Sequence, residues 1–513
     1  MKSLVTSFIG LLLIFGCASL PKNPVRSFSE AKSPLANTRI ETALHDRLGK
    51  FPGNHESAFS PLVTGQEGLL ARLTSAQLAD RSLDLQYYIW ANDLTGHLMM
   101  YYVLQAADRG VRVRVLLDDL NQGHFEKQLA ILDSHPNIEI RMVNPFAHRS
   151  ARWLEVGRLS TVDHRMHNKV FIADNQMAVV GGRNIGNEYF WASEEINFGD
   201  FDLWVAGPTV QDLSKEFDTY WNSDVAYPIA SLVPDFHATK TDLEDLTKKA
   251  AVAHVQAQST EYEKTLKETA LEKILRQENA VYWSTADVVF DPPAKFHESP
   301  KEQKATLRFQ LAPFVEETEK ELILISPYFV PRKTGKQQLE QLEKRGVKVK
   351  VLTNSLASSD QSSVFAGYKG SRKELLRSGI QLYELKPTAG KKIKKEKHIG
   401  SSTAQSGLHG KVFVFDRKKI FVGSMNLDPR SAELNTEMGV VVHSPELAAN
   451  FAANFEKTLL NNTFKLSLTE DGKLNWTTND DGKLIQFKKE PDTSWWKRFK
   501  AGFMSIFVPT GEL

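Results

Sequence analysis

The stretch Leu83–Asp118, LDLQYYIWANDLTGHLMMYYVLQAADRGVRVRVLLD, is matched later in the chain by Leu322–Thr353, LILISPYFVPRKTGKQQLEQLEKRGVKVKVLT. Each copy reads as a buried strand, a loop that ends in Thr-Gly, an amphipathic helix, and an Arg-Gly-Val step into a second strand. This order is a β-α-β unit, and such units form parallel or mixed sheets with helices on both faces. The sequence therefore predicts two copies of one α/β domain.

A short motif follows this unit in both copies. It reads RMHNKVFIAD up to residue 174 and GLHGKVFVFD up to residue 416, so each copy has His-x-Lys at the start of an apolar strand. Residues two apart in a strand point to the same face. We therefore expect His167 to project together with Lys169, and His409 together with Lys411.

Each motif is followed by a polar turn and a second apolar strand, which predicts a hairpin. Asp174 and Asp416 begin the turns, where Asp favours local backbone hydrogen bonds, and we interpret both as structural. The hairpins bring Asn184 and Asn426 back beside the motifs, each 17 residues after its histidine. Glycines just before these asparagines would let the backbone turn closely against the end of the strand.

A carboxylate follows in each copy. Glu437 opens EMGVVVHSP and Asp200 opens DFDLWVAGP, and the two segments align through their last prolines. The loop before Asp200 is longer than its counterpart, so Asp202 is a rival to Asp200, and the spacing leaves the two open.

Each copy thus supplies an imidazole, an ammonium, a carboxamide and a carboxylate. Two lysines and two asparagines can hold the charge of a phosphodiester and its transition state without a metal or cofactor. One histidine must be neutral to attack phosphorus, and the other must be protonated to give a proton to the departing alkoxide. A carboxylate on the far nitrogen of each ring would fix its tautomer. Since neither copy has both functions, the site is expected between the two domains, near a pseudo-two-fold axis.

Composition and the first residues bear on the location. The net charge of +2 over 513 residues argues against a protein that coats nucleic acid by charge. Cys17 is the only cysteine, so an intramolecular disulfide is impossible. The apolar run Leu4–Phe15 followed by Gly16-Cys17 resembles a bacterial lipobox, which predicts lipidation of Cys17; the alternative is a plain signal peptide. Ala18 follows where inner-membrane lipoproteins would have aspartate, so the outer membrane is the default address.

These features predict a division of the chain into six parts. They are a lipoprotein signal peptide (1–16), a flexible tether (17–40), a first domain (41–235), a helical connector (236–280), a second domain (281–465) and a C-terminal hairpin with an amphipathic helix (466–513). The connector shows no clear apolar face and is interpreted as a solvated strut.

Three further features each leave two interpretations open. The basic run Lys386–Lys397 suits either anionic lipid headgroups or a solvated loop. Aromatic residues recur every four positions from Trp495 to Phe507, which suits either a bilayer interface or packing on the second domain. The run Tyr189–Trp191 could flank an acyl entrance, although burial in the core is the favoured interpretation.

Taken together, the two His-x-Lys-x4-Asp motifs resemble those of the phospholipase D superfamily. LDLQYYIW, SPYFVP, LYELKP and GSMNLDPRSAELNTEMG further resemble bacterial cardiolipin synthases, closest to the cardiolipin synthase C branch. The resemblance implies two tandem α/β/α sandwich domains with mixed, largely parallel sheets. It also implies a ping-pong transfer of a phosphatidyl group, with His167 as nucleophile and His409 as general acid and later base.

On this resemblance the expected substrates are phosphatidylglycerol and, as an alternative co-substrate, phosphatidylethanolamine. The expected location is the bacterial cell envelope, lipid-anchored and facing the periplasm, with the membrane surface as a partner and no nucleic acid. A hydrolytic phospholipase D would share the first chemical step and is the main alternative. A nuclease is disfavoured by the near-neutral charge, and a non-catalytic scaffold by the presence of both half-sites.

Overall fold

The computed structural model describes residues 19–34, 36–49, 55–123, 125–149, 151–258, 280–389, 404–480 and 482–507. The predicted signal peptide, Cys17, the second part of the connector and most of the basic run before the second motif lie outside the described residues.

The first domain is built on one mixed sheet. Its strands and those next to it are β1 (Ser57–Leu62), β2 (Ser82–Tyr87), β3 (Arg112–Asp118), β4 (Ile138–Val143), β5 (Val170–Ala173), β6 (Met177–Gly181), β7 (Ile196–Gly199), β8 (Asp202–Ala206), β9 (Ala226–Pro228) and β10 (Tyr282–Ser284). Its helices are α1 (Arg39–Leu48), α2 (Gly65–Leu78), α3 (Leu94–Asp108), α4 (Glu126–Asp133), α5 (Leu159–Val162), α6 (Pro208–Trp221) and α7 (Ile229–Leu232), followed by α8 (Lys240–Gln258) in the connector. Among the described residues the strand order is β10-β1-β8-β6-β5-β2-β3-β4-β9.

The second domain repeats this plan. Its strands are β11 (Ala286–Phe290), β12 (Glu321–Ile325), β13 (Lys348–Asn354), β14 (Gln381–Leu385), β15 (Gln405–Leu408), β16 (Val412–Phe415), β17 (Lys419–Gly423), β18 (Met438–Val442), β19 (Thr463–Leu468), β20 (Leu474–Asp480) and β21 (Lys483–Phe487). Its helices are α9 (Leu307–Glu316), α10 (Lys333–Lys344), α11 (Ser362–Arg377), α12 (Pro429–Glu433), α13 (Pro445–Asn462) and α14 (Trp495–Phe507). The strand order in the described part is β11-β18-β17-β16-β12-β13-β14-β19-β20-β21.

The sheets are mixed, as the sequence predicts, but their parallel part is smaller than expected. In the first sheet only β2, β3 and β4 pair in parallel, and in the second only β12, β13 and β14 do so among the described strands. The strands that follow each His-x-Lys motif form antiparallel hairpins, β5 with β6 and β16 with β17, which add antiparallel pairs on that side of each parallel core.

Local sequence explains where the helices begin. Thr64 and Glu67 form a reciprocal capping box at the start of α2, and Asp93 accepts the Gly96 amide at the start of α3. The Thr-Gly pair that was predicted to end a loop lies within the first turn of α3 and, in the second domain, of α10.

The two domains share contacts at one central seam. Strands β7 and β15 pair in parallel, with Ile196 opposite Gln405, so that one small two-stranded sheet joins the halves. Apolar packing continues across the seam, since the Phe201 and Phe451 rings lie 5.0 Å apart edge to face. The halves are therefore held in a fixed register by backbone pairing as well as by side chains.

The segments at the edge of the first domain differ from prediction. Part of the predicted tether lies against the domain: Arg26 donates to the Ala226 carbonyl at 2.8 Å, and the Ala31 amide donates to Asp218. The described part of the connector, α8, does have an apolar face, on which Leu246 and Ala250 are buried against α3. This face is difficult to recognise in the sequence, because alanine side chains are small and give only a weak apolar pattern. The prediction of a solvated strut was therefore wrong for α8.

At the end of the second domain, β19, β20 and β21 extend the sheet in antiparallel order. Within the described part of the chain, no helix combines the length and apolar character needed to cross a bilayer.

Candidate active site

The turn aspartates hold the two motif hairpins in place. Asp174 and Asp416 adopt positive φ values of 52° and 53°, as a tight hairpin turn requires. The Asp174 carboxylate accepts the amides of residues 80–82 at 2.7–2.9 Å, and Asp416 accepts those of residues 319–321 at the same distances. Each carboxylate therefore binds the start of the neighbouring parallel strand, a structural contact remote from the histidines.

The histidine of each half is paired with the carboxylate of the other half. His167 Nδ1 lies 2.8 Å from Glu437 Oε2, and His409 Nδ1 lies 2.6 Å from Asp200 Oδ2. The sequence predicts a carboxylate on the far nitrogen of each ring. The spacing of the residues does not show that this carboxylate comes from the opposite half. Because Nδ1 faces an acceptor, it carries the proton, which leaves the Nε2 lone pair available.

Backbone hydrogen bonds also connect each motif histidine with the opposite half. The His167 amide donates to the Thr436 carbonyl and the His409 amide donates to the Gly199 carbonyl, both at 2.8 Å. In each case the accepting residue directly precedes the carboxylate. The four contacts are those that a two-fold axis between the halves would generate.

The contacts show which of the two rival carboxylates, Asp200 or Asp202, belongs to the site. Asp202 forms buried ion pairs with two residues of its own half, Arg72 at 2.9 Å and Arg183 at 3.2 Å. Asp200 alone of the two touches a motif histidine. A Cβ atom on Gly182 would come within 2.4 Å of Asp200 Oδ1, so glycine is needed there for the carboxylate to reach His409.

Glu437 has a different environment because its half has Ser424 where the first has Gly182. The Ser424 and Ser431 hydroxyls donate to the two carboxylate oxygens, at 2.5 Å and 2.7 Å. His167, Lys169 and the Ser424 hydroxyl hold the pKa of Glu437 below its ordinary value, against the opposing effect of burial. Glu437 is therefore ionised at neutral pH.

The lysines lie beside their histidines in both halves. Lys169 and Lys411 are buried, and each Nζ donates to the carbonyl of the histidine two residues before it. Lys411 Nζ also lies 3.1 Å from His409 Nε2. Burial lowers the pKa of Lys411 to about 8 and that of Lys169 well below its ordinary value. Whether these two lysines carry a positive charge therefore depends on the charge of the molecule that binds in the site.

The two asparagines occupy different surroundings. Asn184 Oδ1 accepts the Ile89 amide at 3.2 Å, and its side chain also bonds to Tyr189. Asn426 is buried, and its Oδ1 atom has no hydrogen-bond partner in the described part of the chain. A buried amide oxygen without a partner is costly, so Asn426 Oδ1 can accept a hydrogen bond from a hydroxyl group of a bound molecule.

Aromatic rings cover the histidines, and again they are unequal. Tyr88 packs edge to face on His167 with a centroid distance of 5.1 Å. His409 is packed by two rings, Tyr189 at 5.1 Å and Phe198 at 5.3 Å. Tyr189 comes from the first half and so contributes to the other half's site. It was considered from sequence only as an entrance or core residue.

Burial keeps both imidazoles neutral in the free protein. It lowers the pKa of His167 to about 4 and, together with Lys411, that of His409 to about 3. Each ring is also influenced by the lysine of the other half, so the two motifs share one electrostatic environment. His409 and Lys411 hold the pKa of Asp200 well below its ordinary value, although burial opposes them.

Other residues of the site were missed by sequence reasoning. Asn168 accepts the Thr436 hydroxyl at 2.9 Å and donates to Glu216 at 2.7 Å, bracing the first motif from behind. Burial raises the pKa of Glu216 to about 8. The middle position of the second motif is Gly410, so this brace exists on one side only. The sequence does contain a signal for this difference, since the residue between His and Lys is Asn168 in the first motif and Gly410 in the second.

The arrangement can bind an anion and move a proton. Two buried lysines and two carboxamides adjoin two imidazoles that carry their proton on Nδ1, which suits attack on a phosphodiester through Nε2 and protonation of its leaving group. Among the described residues, no group of three or more His, Cys, Asp or Glu side chains is placed to hold a metal ion.

Known proteins are similar to this chain over most of its length. A family model described as "Cardiolipin synthase, PLD-like domain" matches residues 69–221 and 311–459. Cardiolipin synthase C of Escherichia coli (strain K12) is 37% identical over 472 residues, which cover 91% of this chain and 98% of that protein. Cardiolipin synthase 2 of Bacillus anthracis is 23% identical over 419 residues, covering 81% of this chain and 67% of that protein.

The fold is also shared with a solved structure. Phosphatidylserine synthase of Haemophilus influenzae Rd KW20 superposes with a TM-score of 0.56 at 13% identity, covering 92% of this chain and all of that one. Each region matched by the family model contains one of the two His-x-Lys motifs, and the resemblance seen in the sequence is confirmed. The chain belongs to the cardiolipin synthase family of phospholipase D-like enzymes.

Proposed function

We propose that this protein makes cardiolipin from phosphatidylglycerol by a ping-pong reaction through a phosphatidyl-histidine, with phosphatidylethanolamine as an alternative co-substrate. The observation that carries the proposal is the crossed pairing of His167 with Glu437 and of His409 with Asp200. It gives two oriented imidazoles in one buried environment, which is what nucleophilic attack with a separate general acid needs.

In the first step, one ring attacks phosphorus through Nε2. The new P–N bond forms as the P–O bond to the glycerol headgroup breaks, and the other ring donates its Nε2 proton to the departing oxygen. We assign the attack to His167 and the proton to His409, following the family resemblance. Lys169, Lys411 and the two asparagines supply fixed donors for the negative charge on the phosphoryl oxygens.

In the second step, the hydroxyl of a second lipid's glycerol takes the place of the leaving group. His409, now neutral, accepts the hydroxyl proton while the oxygen attacks phosphorus, and the P–N bond to His167 breaks. The products are cardiolipin and the free headgroup alcohol released in the first step, and both histidines return to their starting states.

The pKa values explain how one site can hold one neutral and one charged ring. Both rings are neutral when the site is free, because burial and the lysines disfavour added positive charge. An anionic phosphodiester offsets that charge and raises the pKa of the neighbouring imidazole. Substrate binding thus favours protonation of the general acid at the moment it is needed.

We further propose that the protein acts at the envelope membrane, anchored through lipidated Cys17, facing the periplasm and by default on the outer membrane. Labelling of intact cells with a radioactive fatty acid tests this directly: the wild-type protein should carry the label and Cys17→Ser should not. Separation of the two membranes on a density gradient then shows which one holds the protein.

The activity is tested with purified protein and phosphatidylglycerol vesicles, following cardiolipin and free glycerol. Equal amounts of the two products support the transferase. Phosphatidic acid without cardiolipin would instead assign the protein as a hydrolytic phospholipase D, in which water replaces the second lipid. His167→Ala and His409→Ala should each abolish turnover with the fold retained, and full activity in either variant would overturn the two-histidine scheme.

A further inference from the structure

The C-terminal helix α14 presents aromatic side chains to solvent. Trp495, Trp496, Phe499 and Phe503 are 67%, 63%, 50% and 54% exposed. Phe499 stacks on Trp495 at 5.4 Å, on Trp496 at 5.5 Å and on Phe503 at 6.4 Å, which makes one continuous surface. We call these four residues the aromatic face. Contiguous exposed apolar surface of this kind marks an interaction site.

The helix is attached to the second domain through its opposite side. Ala501 is fully buried, and Lys497 Nζ donates to the Ala357 carbonyl at 3.1 Å. Helix α14 packs on α11. A surface helix ordinarily buries its large apolar residues, whereas this helix exposes four of them.

The charge of the helix has one sign. Lys497, Arg498 and Lys500 lie between Trp495 and Phe507, and this range contains no Asp or Glu. Lys500 is exposed beside Phe499. Aromatic side chains together with cations are typical of helices that lie in the headgroup region of an anionic bilayer, where Trp is favoured and cations are attracted to the lipid charge.

One part of the second domain contacts both the helix and the second motif. Ala357, which Lys497 contacts, is in the segment that follows β13. Asn354, the last residue of β13, accepts the Leu408 amide at 2.8 Å and donates to the Leu408 carbonyl at 3.0 Å, directly before His409. One short segment therefore connects the first turn of α14 to the second motif.

We propose that the aromatic face docks on the surface of an anionic phospholipid bilayer and so holds the active site against the headgroups. The proposal rests on the proposed function, because a phospholipid substrate is the reason that the site needs a lipid surface. Its test does not, because vesicle binding is measured without turnover. Helix α14 would lie along the interface rather than across it, with the exposed Lys500 among the phosphates.

The test uses the full chain carrying Cys17→Ser, so that acylation cannot tether it. Binding to vesicles of phosphatidylglycerol and of phosphatidylcholine is measured by co-sedimentation at low and high salt. Replacing all four residues of the aromatic face by Ser should weaken binding to phosphatidylglycerol vesicles by at least about tenfold. The matched control is V252S/V255S on α8, whose side chains are 65% and 61% exposed and should leave binding unchanged.

A milder variant reports on the contact itself. W495F/W496F keeps the aromatic face and should still bind, but quenching of tryptophan emission by brominated phosphatidylglycerol should fall compared with the parent protein. Wild-type binding by the four-serine variant, or no binding by the parent protein, would overturn the proposal. A change from dimer to monomer in that variant would show that the face contacts a second copy instead.

Turnover separates this proposal from the proposed function. On a monomeric short-chain phosphatidylglycerol the four-serine variant should match the parent protein, whereas on vesicles its rate should fall with its binding. Vesicle binding through the aromatic face without cardiolipin formation would remove the proposed function alone. Cardiolipin formation on vesicles at the parent rate in the four-serine variant would remove the docking surface alone.

Discussion

His167 Nδ1 and Glu437 Oε2 lie 2.8 Å apart although the two residues are 270 positions apart in the chain. The equivalent contact, His409 with Asp200, spans 209 positions in the opposite direction. Each half of the protein thus supplies the group that orients the other half's catalytic ring, and the first prediction concerns these two carboxylates.

Replacing Glu437 by Gln, or Asp200 by Asn, should lower kcat by about 10²- to 10⁴-fold, because the neutral amide neither fixes the tautomer nor stabilises the imidazolium. Steady-state rates on phosphatidylglycerol vesicles check this. Glu195→Gln, an exposed carboxylate near β7, is the matched control and should be silent. If either carboxylate variant kept the wild-type rate, the crossed pairs would be structural contacts only.

The pH profile of kcat, which reports the substrate-bound enzyme, should be bell-shaped. The rate should fall at low pH, where His167 takes up the proton that blocks its attack, and at high pH, where His409, whose pKa the bound phosphodiester raises, loses the proton that it must donate. Nitrogen NMR of the histidine rings should show both as neutral Nδ1–H tautomers at neutral pH. A ring that titrates near its ordinary value of 6.5 would contradict the burial argument.

The brace behind the first motif predicts a stability effect with a defined sign. Burial raises the pKa of Glu216 from 4.5 to about 8, so the folded state holds a proton that the unfolded state releases, and wild-type stability falls as pH rises between these values. Glu216→Gln has no such proton. It should therefore gain stability relative to wild type over that range, measured by urea unfolding, while kcat at neutral pH changes little.

Asn168→Ala removes both bonds of the same brace and should behave differently. We expect a loss of about 1–3 kcal/mol in the free energy of unfolding, since Glu216 and Thr436 lose a buried partner. We also expect a lower kcat, because the Thr436 segment positions the His167 backbone. A variant with unchanged kcat would show that the brace stabilises the fold without positioning the ring.

The turn aspartates should affect stability and leave chemistry intact. Asp174→Ala removes an acceptor from three backbone amides and should cost about 2–4 kcal/mol of unfolding free energy. Asp416→Ala should cost less, because the amides it binds are partly exposed. Asp→Asn at either position keeps one acceptor oxygen and tolerates the positive φ, so it is the conservative control.

Much of the fold follows from periodicity and repetition. The β-α-β units, the hairpins after each motif and the equal offset to Asn184 and Asn426 are local features, and local features survive in the sequence. The larger antiparallel share of the sheets was not visible, because β8 and β18 also pair with β1 and β11, which are remote from them in the chain. The apolar face of α8 was missed because alanine gives little signal.

The site was predictable as a set of residue types but not as a set of contacts. Spacing could not separate Asp200 from Asp202, since the difference depends on the positions of Arg72 and Arg183 in the fold. It also could not show that Tyr189 packs on His409. The ion pairs of Asp202 join residues distant in the sequence of the first half, and the Tyr189 contact crosses the seam between the halves.

The exchange of carboxylates between halves makes each half dependent on its neighbour. If the chain were cut in the connector, neither fragment would own a complete oriented histidine, and mixing the fragments should restore what each lacks. Two identical halves placed around a true dyad would meet the same requirement, so the tandem chain has the form of a dimer whose subunits have been covalently joined.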